Sequence, residues 1–530
     1  MFPLPADANE LTYSISQPEI DDFIAKIYTG KPYQSEKNGN AATAVEDLLK
    51  SPAPLDVRNT SGPKMMYLAA EKWHEIVVRL LEIGVDPNIQ DKHRQKLMAW
   101  AVRNWHESVM QLLIEKEAHP NAQYTSIQIP LHWAAENGHD VLVKLLLDTG
   151  ANPNLQDEGG LTPFSLAAKN GREAVVRLLL QLDGVDPDLA DARYGQTPLS
   201  WAAEKGHEVV VKMLLERSSV NPDSKDDTWG QTPLSWAAEN GHAVVVELLL
   251  ERGDVNPEAE DHCGRTALSR AAEDGHEVVV RMLLERGGVD PDARDKCGRT
   301  ALSRAAENGY DEVVRLLLEW GVDPDAKENS GRTALSRAAE NGHEAVVMLL
   351  LERDDVDLDA KDNAGLTALW KAAEDEHTAV MELLLHKGAY IDAQNEFRWT
   401  VLHLAAKEGL VAVVKLLLEY RPDVNARTGR CSTALMLAAE YGHAEVIDLL
   451  LSAEMVDINA RDHGGNTALI AAACRGQIRA LRLLLTSTKL DLEQKNKDGH
   501  TALSIALETG HDEVAHLLHS HYATESDEEL

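Results

Sequence analysis

A short amphipathic helix recurs along the chain, and residues 231–242, QTPLSWAAENGH, show its pattern most clearly. Leu234, Ala237 and Ala238 fall on one helical face, and the two alanines are small enough to let a neighbouring helix approach closely. Thr232 is suited to cap the N-terminus, and Gly241 supplies the left-handed position at which a helix ends. The pattern predicts a first helix between these two residues.

A second apolar run follows each first helix. After Gly241 the run AVVVELLLERG predicts a second helix that packs on the first helix and on the next unit. Its apolar stripe consists of Val244, Val245, Leu248 and Leu249. Phrases such as GVDPD come next, and their prolines predict stiff, extended turns.

The same unit repeats over most of the chain. The residue at the cap position, usually threonine, recurs at spacings of 32 to 35 residues. It stands at positions 64, 96, 129, 162, 197, 232, 266, 300, 333, 367, 400, 433, 467 and 501. Because neither helix can bury its apolar stripe alone, we expect the 14 units to stack on one another.

These units resemble ankyrin repeats, whose pattern of TPLHxAA, GH and a late LLL is matched most closely from Ile129 to Gly510. Near-identical units such as TALSRAAENGYDEVVRLLLEWGVDPDA also resemble the long tandem ankyrin arrays of filamentous fungi. The resemblance implies an all-α fold, an ankyrin-repeat solenoid of about 14 helix-turn-helix repeats with degenerate caps. We assign residues 1–59 to an N-terminal helical segment and degenerate half-repeat cap, 60–519 to the array, and 520–530 to an acidic C-terminal tail.

Three repeats lack the glycine that ends the first helix. Trp73, Trp105 and Glu376 stand in its place in repeats 1, 2 and 10. A side chain there costs about 1 kcal/mol if the left-handed backbone is kept. These repeats are therefore predicted weak points of the array.

Composition narrows the class of partner. The chain has 52 Lys and Arg against 87 Asp and Glu, which gives a net charge of −35. Such a surface repels nucleic acid, so we expect protein partners, particularly those with basic surfaces, and no direct nucleic acid binding. Four cysteines and no apolar leader after Met1 favour an intracellular protein, cytoplasmic or nuclear or both. No apolar run is long enough for a membrane span, and a capped array is expected to be a monomer.

Catalytic motifs are not evident in the sequence. The recurring HExx phrases do not continue to the second histidine of a zinc site, since His207 leads to Val211 and His343 to Val347. These histidines hold one fixed position per repeat, which indicates a structural hydrogen bond. No phosphate-binding loop or nucleophile elbow occurs either. We therefore predict no catalytic residues, no metal, no cofactor and no enzymatic activity.

The candidate binding residues stand four positions after the cap residue, on the first helix. In ankyrin proteins this helix lines the concave surface, so the resemblance implies that their side chains face a groove. Trp and Arg are frequent binding anchors. The predicted partner-binding ladder is Trp100, Trp133, Trp201, Trp236, Arg270, Arg304, Arg337 and Lys371.

A structural explanation of this ladder stays open. Glutamates follow the basic residues by three positions and can pair with them, as Glu273 follows Arg270. The tryptophans can equally pack over neighbouring repeats. With a binding role, the chain is predicted to be a non-catalytic scaffold or adaptor for other proteins. The alternative is a transcription coregulator that docks on a transcription factor without touching DNA.

Overall fold

The computed structural model describes residues 107–116, 118–121, 129–286 and 288–528. The predicted N-terminal cap and the predictions for Trp73, Trp100 and Trp105 lie outside these ranges. The described residues belong to two compact units, one ending at Asn221 with Asp226–Thr228, the other formed by Pro222–Lys225 and the chain from Trp229 onwards. Every regular element in the described part is an α-helix, as the sequence predicts.

The first unit contains seven described helices, which alternate between first and second helices of a repeat. They are α1 Glu107–Glu115, α2 Pro130–Asn137, α3 Asp140–Asp148, α4 Pro163–Lys169, α5 Glu173–Leu179, α6 Pro198–Glu204 and α7 Glu208–Leu215.

The second unit continues the alternation over nine repeats. Its helices are α8 Pro233–Glu239, α9 Ala243–Glu251, α10 Ala267–Glu273, α11 Glu277–Glu285, α12 Ala301–Asn308, α13 Asp311–Glu319, α14 Ala334–Glu340, α15 Glu344–Leu351, α16 Ala368–Glu374, α17 Thr378–His386, α18 Val401–Glu408, α19 Val411–Glu419, α20 Ala434–Tyr441, α21 Ala444–Ser452, α22 Ala468–Cys474, α23 Ile478–Leu484, α24 Ala502–Glu508 and α25 Asp512–Glu528. Helix α25 extends across position 520, where the acidic tail was predicted to begin. No helix in the described ranges is both long and apolar enough to cross a membrane.

The predicted threonine caps are present. The hydroxyl of Thr232 accepts the N–H of Ser235 at 3.2 Å, which satisfies one of the free amide groups at the start of α8. Thr300 and Ser303 bond reciprocally, side chain to backbone in both directions. At α2, Ile129 holds the cap position and gives no side-chain hydrogen bond.

The second helices bury a different face from the one predicted. In α9 the buried residues are Val245, Val246 and Leu249, whereas Val244 is 45% exposed and Leu248 is half-buried. The prediction for Val244 is wrong, whereas Val245 and Leu249 are buried as predicted. The run AVVVELLL is apolar at nearly every position, so its periodicity cannot set the rotation of the helix; the packing against α8 does.

In most of the described repeats, a histidine at the start of the second helix ties neighbouring repeats together. His343 Nε2 bonds to the carbonyl oxygen of Glu307 at 2.9 Å, and His276 bonds to that of Glu239 at 2.8 Å. The accepting carbonyls lie at the C-terminal ends of first helices, where a carbonyl oxygen has no hydrogen-bond donor within the helix. A Cβ on Gly241 would lie 2.6 Å from the ring of His276. The predicted structural role of these histidines is confirmed, and the glycine is needed for both its space and its φ of 73°.

Five described residues other than glycine have a left-handed backbone, all between positions 376 and 455. Glu376 is one of them, with φ at 57°, so the predicted cost applies there. The sequence analysis did not identify the others, Arg398, Arg421, Cys431 and Met455.

Candidate partner-binding surface

The loop between one repeat and the next, which we call a finger, ends in a five-residue turn. In the turn 261–265 the amide of Asp261 donates to the carbonyl of Arg265 at 2.9 Å. Its carboxylate accepts the N–H groups of Cys263 at 2.7 Å and Arg265 at 2.9 Å. Asp261 is buried, so the turn places a carboxylate against the first helix that follows.

The ladder residue of that helix meets this carboxylate. Arg270 is 7% exposed and contacts Asp261 at 2.6 Å and Glu239, at the end of the preceding first helix, at 3.0 Å. Burial raises the pKa of Asp261, but the N–H of Arg265 and the guanidinium groups of Arg270 and Arg265 outweigh burial and leave it below its usual value. Asp261 is therefore charged at neutral pH, and the pair is a buried ion pair.

The next two repeats have the same arrangement. Arg304 contacts Asp295 in its own finger and Glu273 in the preceding repeat, the latter at 2.6 Å. Arg337 contacts Glu328 at 2.6 Å and Glu307 at 3.1 Å. Both arginines are buried, so neither presents a free cation to solvent.

Each bridging glutamate also has a partner in its own finger. Arg265 contacts Glu273 at 3.1 Å, and Arg299 contacts Glu307 at 2.9 Å. Guanidinium groups from two successive repeats therefore hold one carboxylate. The ion pairs form two groups, one that runs from Glu239 to Arg304 and Asp295, and another that runs from Arg299 and Glu307 into repeat 10. Lys371 ends the second group, 2.9 Å from Glu374 and 3.9 Å from Glu340.

In the first unit a tryptophan takes the place of the arginine. Trp201 is 5% exposed, and its Nε1–H donates to the carboxylate of Asp191 at 3.1 Å, as Arg270 does to Asp261. Lys169 Nζ lies 3.6 Å from the centre of the Trp201 ring, and burial lowers the pKa of this lysine.

Two further ladder tryptophans contact aromatic neighbours. Trp133 is half-buried, with its ring centre 4.9 Å from that of His139. Trp236, in the second unit, is 8% exposed and meets the edge of Trp229 at 5.5 Å. The ladder tryptophans thus contribute packing in each unit.

In repeats 11 and 12, where the ladder residue is leucine, the turn begins with an uncharged residue. Leu404 follows a turn that begins with Asn395, and Leu437 follows one that begins with Thr428. Asn395 accepts the same two turn amides through its side-chain oxygen, from Phe397 at 2.9 Å and Trp399 at 3.0 Å. The turn needs an acceptor, whereas the ladder arginine needs a charge.

The main partners of the ladder were not predicted from the sequence. The predicted pairs with glutamates three residues later occur at Lys371 and, at 3.7 Å, between Arg337 and Glu340. The closest partners of the arginines stand nine residues earlier in the turn and about one repeat earlier in the chain. The recurrence of Asp or Glu nine residues before each Arg was the available signal. Partner contact at the ladder stays a prediction.

Half-exposed carboxylates lie beside the buried ladder. The side chains of Glu239, Glu273, Glu307 and Glu340 are 25 to 28% exposed. They form one row along the edge of the first helices of the second unit, which we call the acidic row. In the described part of the chain, no group of three or more His, Cys, Asp or Glu side chains is arranged to hold a metal ion.

Comparisons with known proteins identify the repeat. The family profile described as ankyrin repeats (3 copies) matches residues 34–124, 131–226, 180–261, 210–295, 253–328, 321–395, 355–428, 388–462 and 435–528. No curated protein matches the sequence. Among solved structures, the chain is similar to the ankyrin repeat domain of Bcl-3, a member of the IkappaB protein family. That match has 31% identity and a TM-score of 0.39, over 42% of this chain and 99% of that one. Profile matches cover nearly all of the sequence from residue 34 onwards, so this chain belongs to the ankyrin-repeat family, whose fold is a protein-interaction module.

Proposed function

We propose that this protein is a non-catalytic scaffold or adaptor that binds other proteins on the surface formed by its first helices and fingers. The acidic row carries this proposal. Its carboxylates repeat once per ankyrin unit, and guanidinium groups hold three of them, Glu273, Glu307 and Glu340, from their own finger. A surface with this chemistry fits a partner with basic side chains.

The fixed carboxylates favour binding on energetic grounds. A free surface glutamate loses rotamer freedom when a partner orders it, at a cost of about 0.5–1.5 kcal/mol per side chain. Glu273 contacts both Arg265 and Arg304, so most of that freedom is already lost in the free protein. The net charge of −35 also accelerates encounter with a basic partner, an effect that weakens as salt is added.

Affinity capture from cell extract tests the proposal with two variants of equal charge change. The face variant carries Glu273→Gln, Glu307→Gln and Glu340→Gln. The matched control carries Glu285→Gln, Glu319→Gln and Glu352→Gln, three exposed positions at the ends of second helices.

Partners lost by the face variant and kept by the control support the acidic row as the site. Equal capture by both variants moves the site elsewhere. A wild-type chain that captures no protein reproducibly refutes the binding function. Circular dichroism of both variants must match the wild type, since a folding defect also abolishes capture.

A coregulator is a narrower form of the same proposal. Its supporting observation is the acidic row, because DNA-binding proteins carry basic surfaces on which such a row can dock. Nuclear enrichment of the protein and altered target transcripts after its deletion would support this role. A protein that stays in the cytosol and leaves transcripts unchanged would contradict it.

A further inference from the structure

The finger of repeat 12 reverses the charge of the chain locally. Residues 425–432 contain Arg427 and Arg430 and no carboxylate, although the whole chain has a charge of −35. Both side chains are exposed, and neither guanidinium group forms an ion pair with any described residue. Arg427 instead donates to the carbonyl of Arg461 at 3.3 Å. The charges of these arginines are available to a ligand.

At the base of two fingers, asparagine stands where another repeat has aspartate. The negative charge is absent there, but the side-chain oxygen still accepts the same hydrogen bond. In repeat 9, Asp325 accepts the N–H of Asp357 in the next repeat at 2.9 Å. In repeats 12 and 13 the same position holds Asn425 and Asn459, and the amide oxygen of Asn425 accepts the N–H of Asp457 at 2.8 Å. The contact between repeats is kept while two carboxylates are lost.

The remaining carboxylates near these fingers accept backbone N–H groups. Asp423 accepts the amide of Asn425 at 3.0 Å, and Asp462 accepts the amide of Asn466 at 2.7 Å. Neither carboxylate lies within 4.0 Å of a guanidinium nitrogen of Arg427, Arg430 or Arg461. These carboxylates therefore do not neutralise the arginines of repeats 12 and 13, and Glu396 is an exposed carboxylate in the neighbouring turn of repeat 11.

Two neighbouring turns keep side chains where earlier turns have glycine. Arg398 and Cys431 have φ angles of 61° and 62°, in the left-handed region that disfavours side chains. The corresponding residues of repeats 7 to 10 are Gly264, Gly298, Gly331 and Gly365.

The neighbouring finger explains how the first of these side chains fits. A Cβ on Gly298 would lie 2.6 Å from Asn329 in the next finger, but the finger after Arg398 has Gly429 in that place. The backbone at position 398 is thus strained, because a residue with a side chain occupies a left-handed conformation there. Strain of this kind collects at functional sites.

An exposed aromatic residue completes the surface. Phe397 is 70% exposed, and its carbonyl accepts the N–H of Gly429 at 2.8 Å. The carbonyl of Arg430 accepts the N–H of His463 at 2.9 Å, so three successive turns form one row. We call the six exposed residues of this row the basic finger patch: Phe397, Arg398, Arg427, Arg430, Arg461 and His463.

We propose that the basic finger patch binds an extended acidic segment of a partner protein. This rests on the proposed protein-binding function and adds a second partner chemistry to it. Successive repeats stack about 10 Å apart, and a segment in the polyproline II conformation has three residues per turn and advances about 9 Å per turn, so acidic residues at every third position share one side and match successive arginines. Arginine can bind a carboxylate through two parallel hydrogen bonds, and Phe397 offers an apolar anchor.

The first test measures fluorescence anisotropy of a labelled peptide with glutamate at every third position and one central leucine. Two control peptides have glutamine in place of glutamate, or the same glutamates at alternate positions. The patch variant carries Arg427→Gln, Arg430→Gln and Arg461→Gln. The matched control variant loses three exposed finger cations of repeats 8 and 9, through Arg294→Gln, Lys296→Gln and Lys327→Gln.

The patch variant is expected to raise the Kd of the every-third peptide about tenfold, the effect of three exposed ion pairs, and the control variant less than about twofold. Equal effects of the two variants, or equal binding of the glutamine peptide, would overturn the proposal. So would tighter binding of a single-stranded RNA than of the acidic peptide.

A second variant separates strain from affinity. Arg398→Gly is expected to raise the urea midpoint, because glycine accepts the left-handed backbone, and to weaken peptide binding. Weaker binding without stabilisation would contradict the strain argument. If the peptide test fails while the wild type still captures partners, only the basic finger patch is refuted and the protein-binding function stands. If the wild type captures no partner, the protein-binding function itself is refuted.

Discussion

The buried pair of Arg304 and Asp295 allows a quantitative test of the ladder network. Both residues are 7% exposed, and Asp295 also accepts the turn amides of Cys297 and Arg299. The substitution Arg304→Leu removes the cation and leaves a buried carboxylate. Breaking a buried pair in this way costs about 3–5 kcal/mol, and the two remaining amide donors place the expected cost near 3 kcal/mol.

A second substitution should restore most of that loss. Asp295→Asn combined with Arg304→Leu reproduces the natural combination of Asn395 and Leu404 in repeat 11. No charge is then left uncompensated in the turn, and a buried pair replaced by neutral groups is often neutral in stability. We expect the double variant within about 1 kcal/mol of the wild type, about 2 kcal/mol more stable than Arg304→Leu.

A third variant uses the other natural solution. Arg304→Trp places an indole N–H beside Asp295, as Trp201 does beside Asp191. It should cost less than Arg304→Leu, because the carboxylate keeps a side-chain donor. This variant separates the need for a donor from the need for a charge.

Urea denaturation followed by circular dichroism measures the free energy of unfolding of these variants. The curves are fitted with a nearest-neighbour repeat scheme, because long arrays do not unfold in one step. A double variant as unstable as Arg304→Leu would refute the reasoning. It would mean that lost packing, rather than the stranded charge of Asp295, causes the damage.

Three further outcomes are expected. Glu376→Gly should stabilise the protein by about 1 kcal/mol in urea denaturation, because residue 376 already has a φ of 57°, which glycine adopts without strain. Gly342→Ala should destabilise it, because a Cβ at position 342 would lie 2.7 Å from the ring of His377. Acidification from pH 7.5 to 5.5 should destabilise the wild type by up to about 1.4 kcal/mol more than His403→Gln. Burial lowers the pKa of His403, so the unfolded chain takes up a proton at a higher pH than the folded ring. The stability present at pH 7.5 is therefore lost as the pH falls through the pKa of the unfolded histidine. An equal pH slope in wild type and variant would contradict this. His343→Ala should cost about 1 kcal/mol through its lost bond to the carbonyl of Glu307, and unchanged urea midpoints would contradict that role.

The sequence predicted the local features of the fold because each has a short-range cause. Thr232 caps its helix three residues away, and Gly241 and the histidine after it mark the turn to the second helix. The rotation of the second helices escaped prediction, because a run of Val and Leu with one charged residue inside it has no broad polar face to orient it. The exposure of Val244 was therefore not predicted.

The candidate site was predicted by position and not by environment. The ladder position was found from its change of residue type, but the partners of Arg304 lie nine residues earlier and one repeat earlier. Distances across a repeat depend on how units stack, which no local pattern encodes. The strain at Arg398 and Cys431 was also invisible, because turns without glycine are common in sequences and only the backbone angle shows the cost.

The histidine bonds between repeats give the array a direction. Within the second unit, each donor ring belongs to the later repeat and each accepting carbonyl to the earlier one, as His377 bonds to Glu340 and His443 to Lys407. Where the next repeat supplies a histidine, a repeat made on the ribosome therefore has an open carbonyl until the next 35 or so residues emerge. At such a junction, deletion from the C-terminal side uncovers the carbonyl, whereas deletion from the N-terminal side leaves a histidine facing water. The two ends of a shortened array should consequently fray unequally.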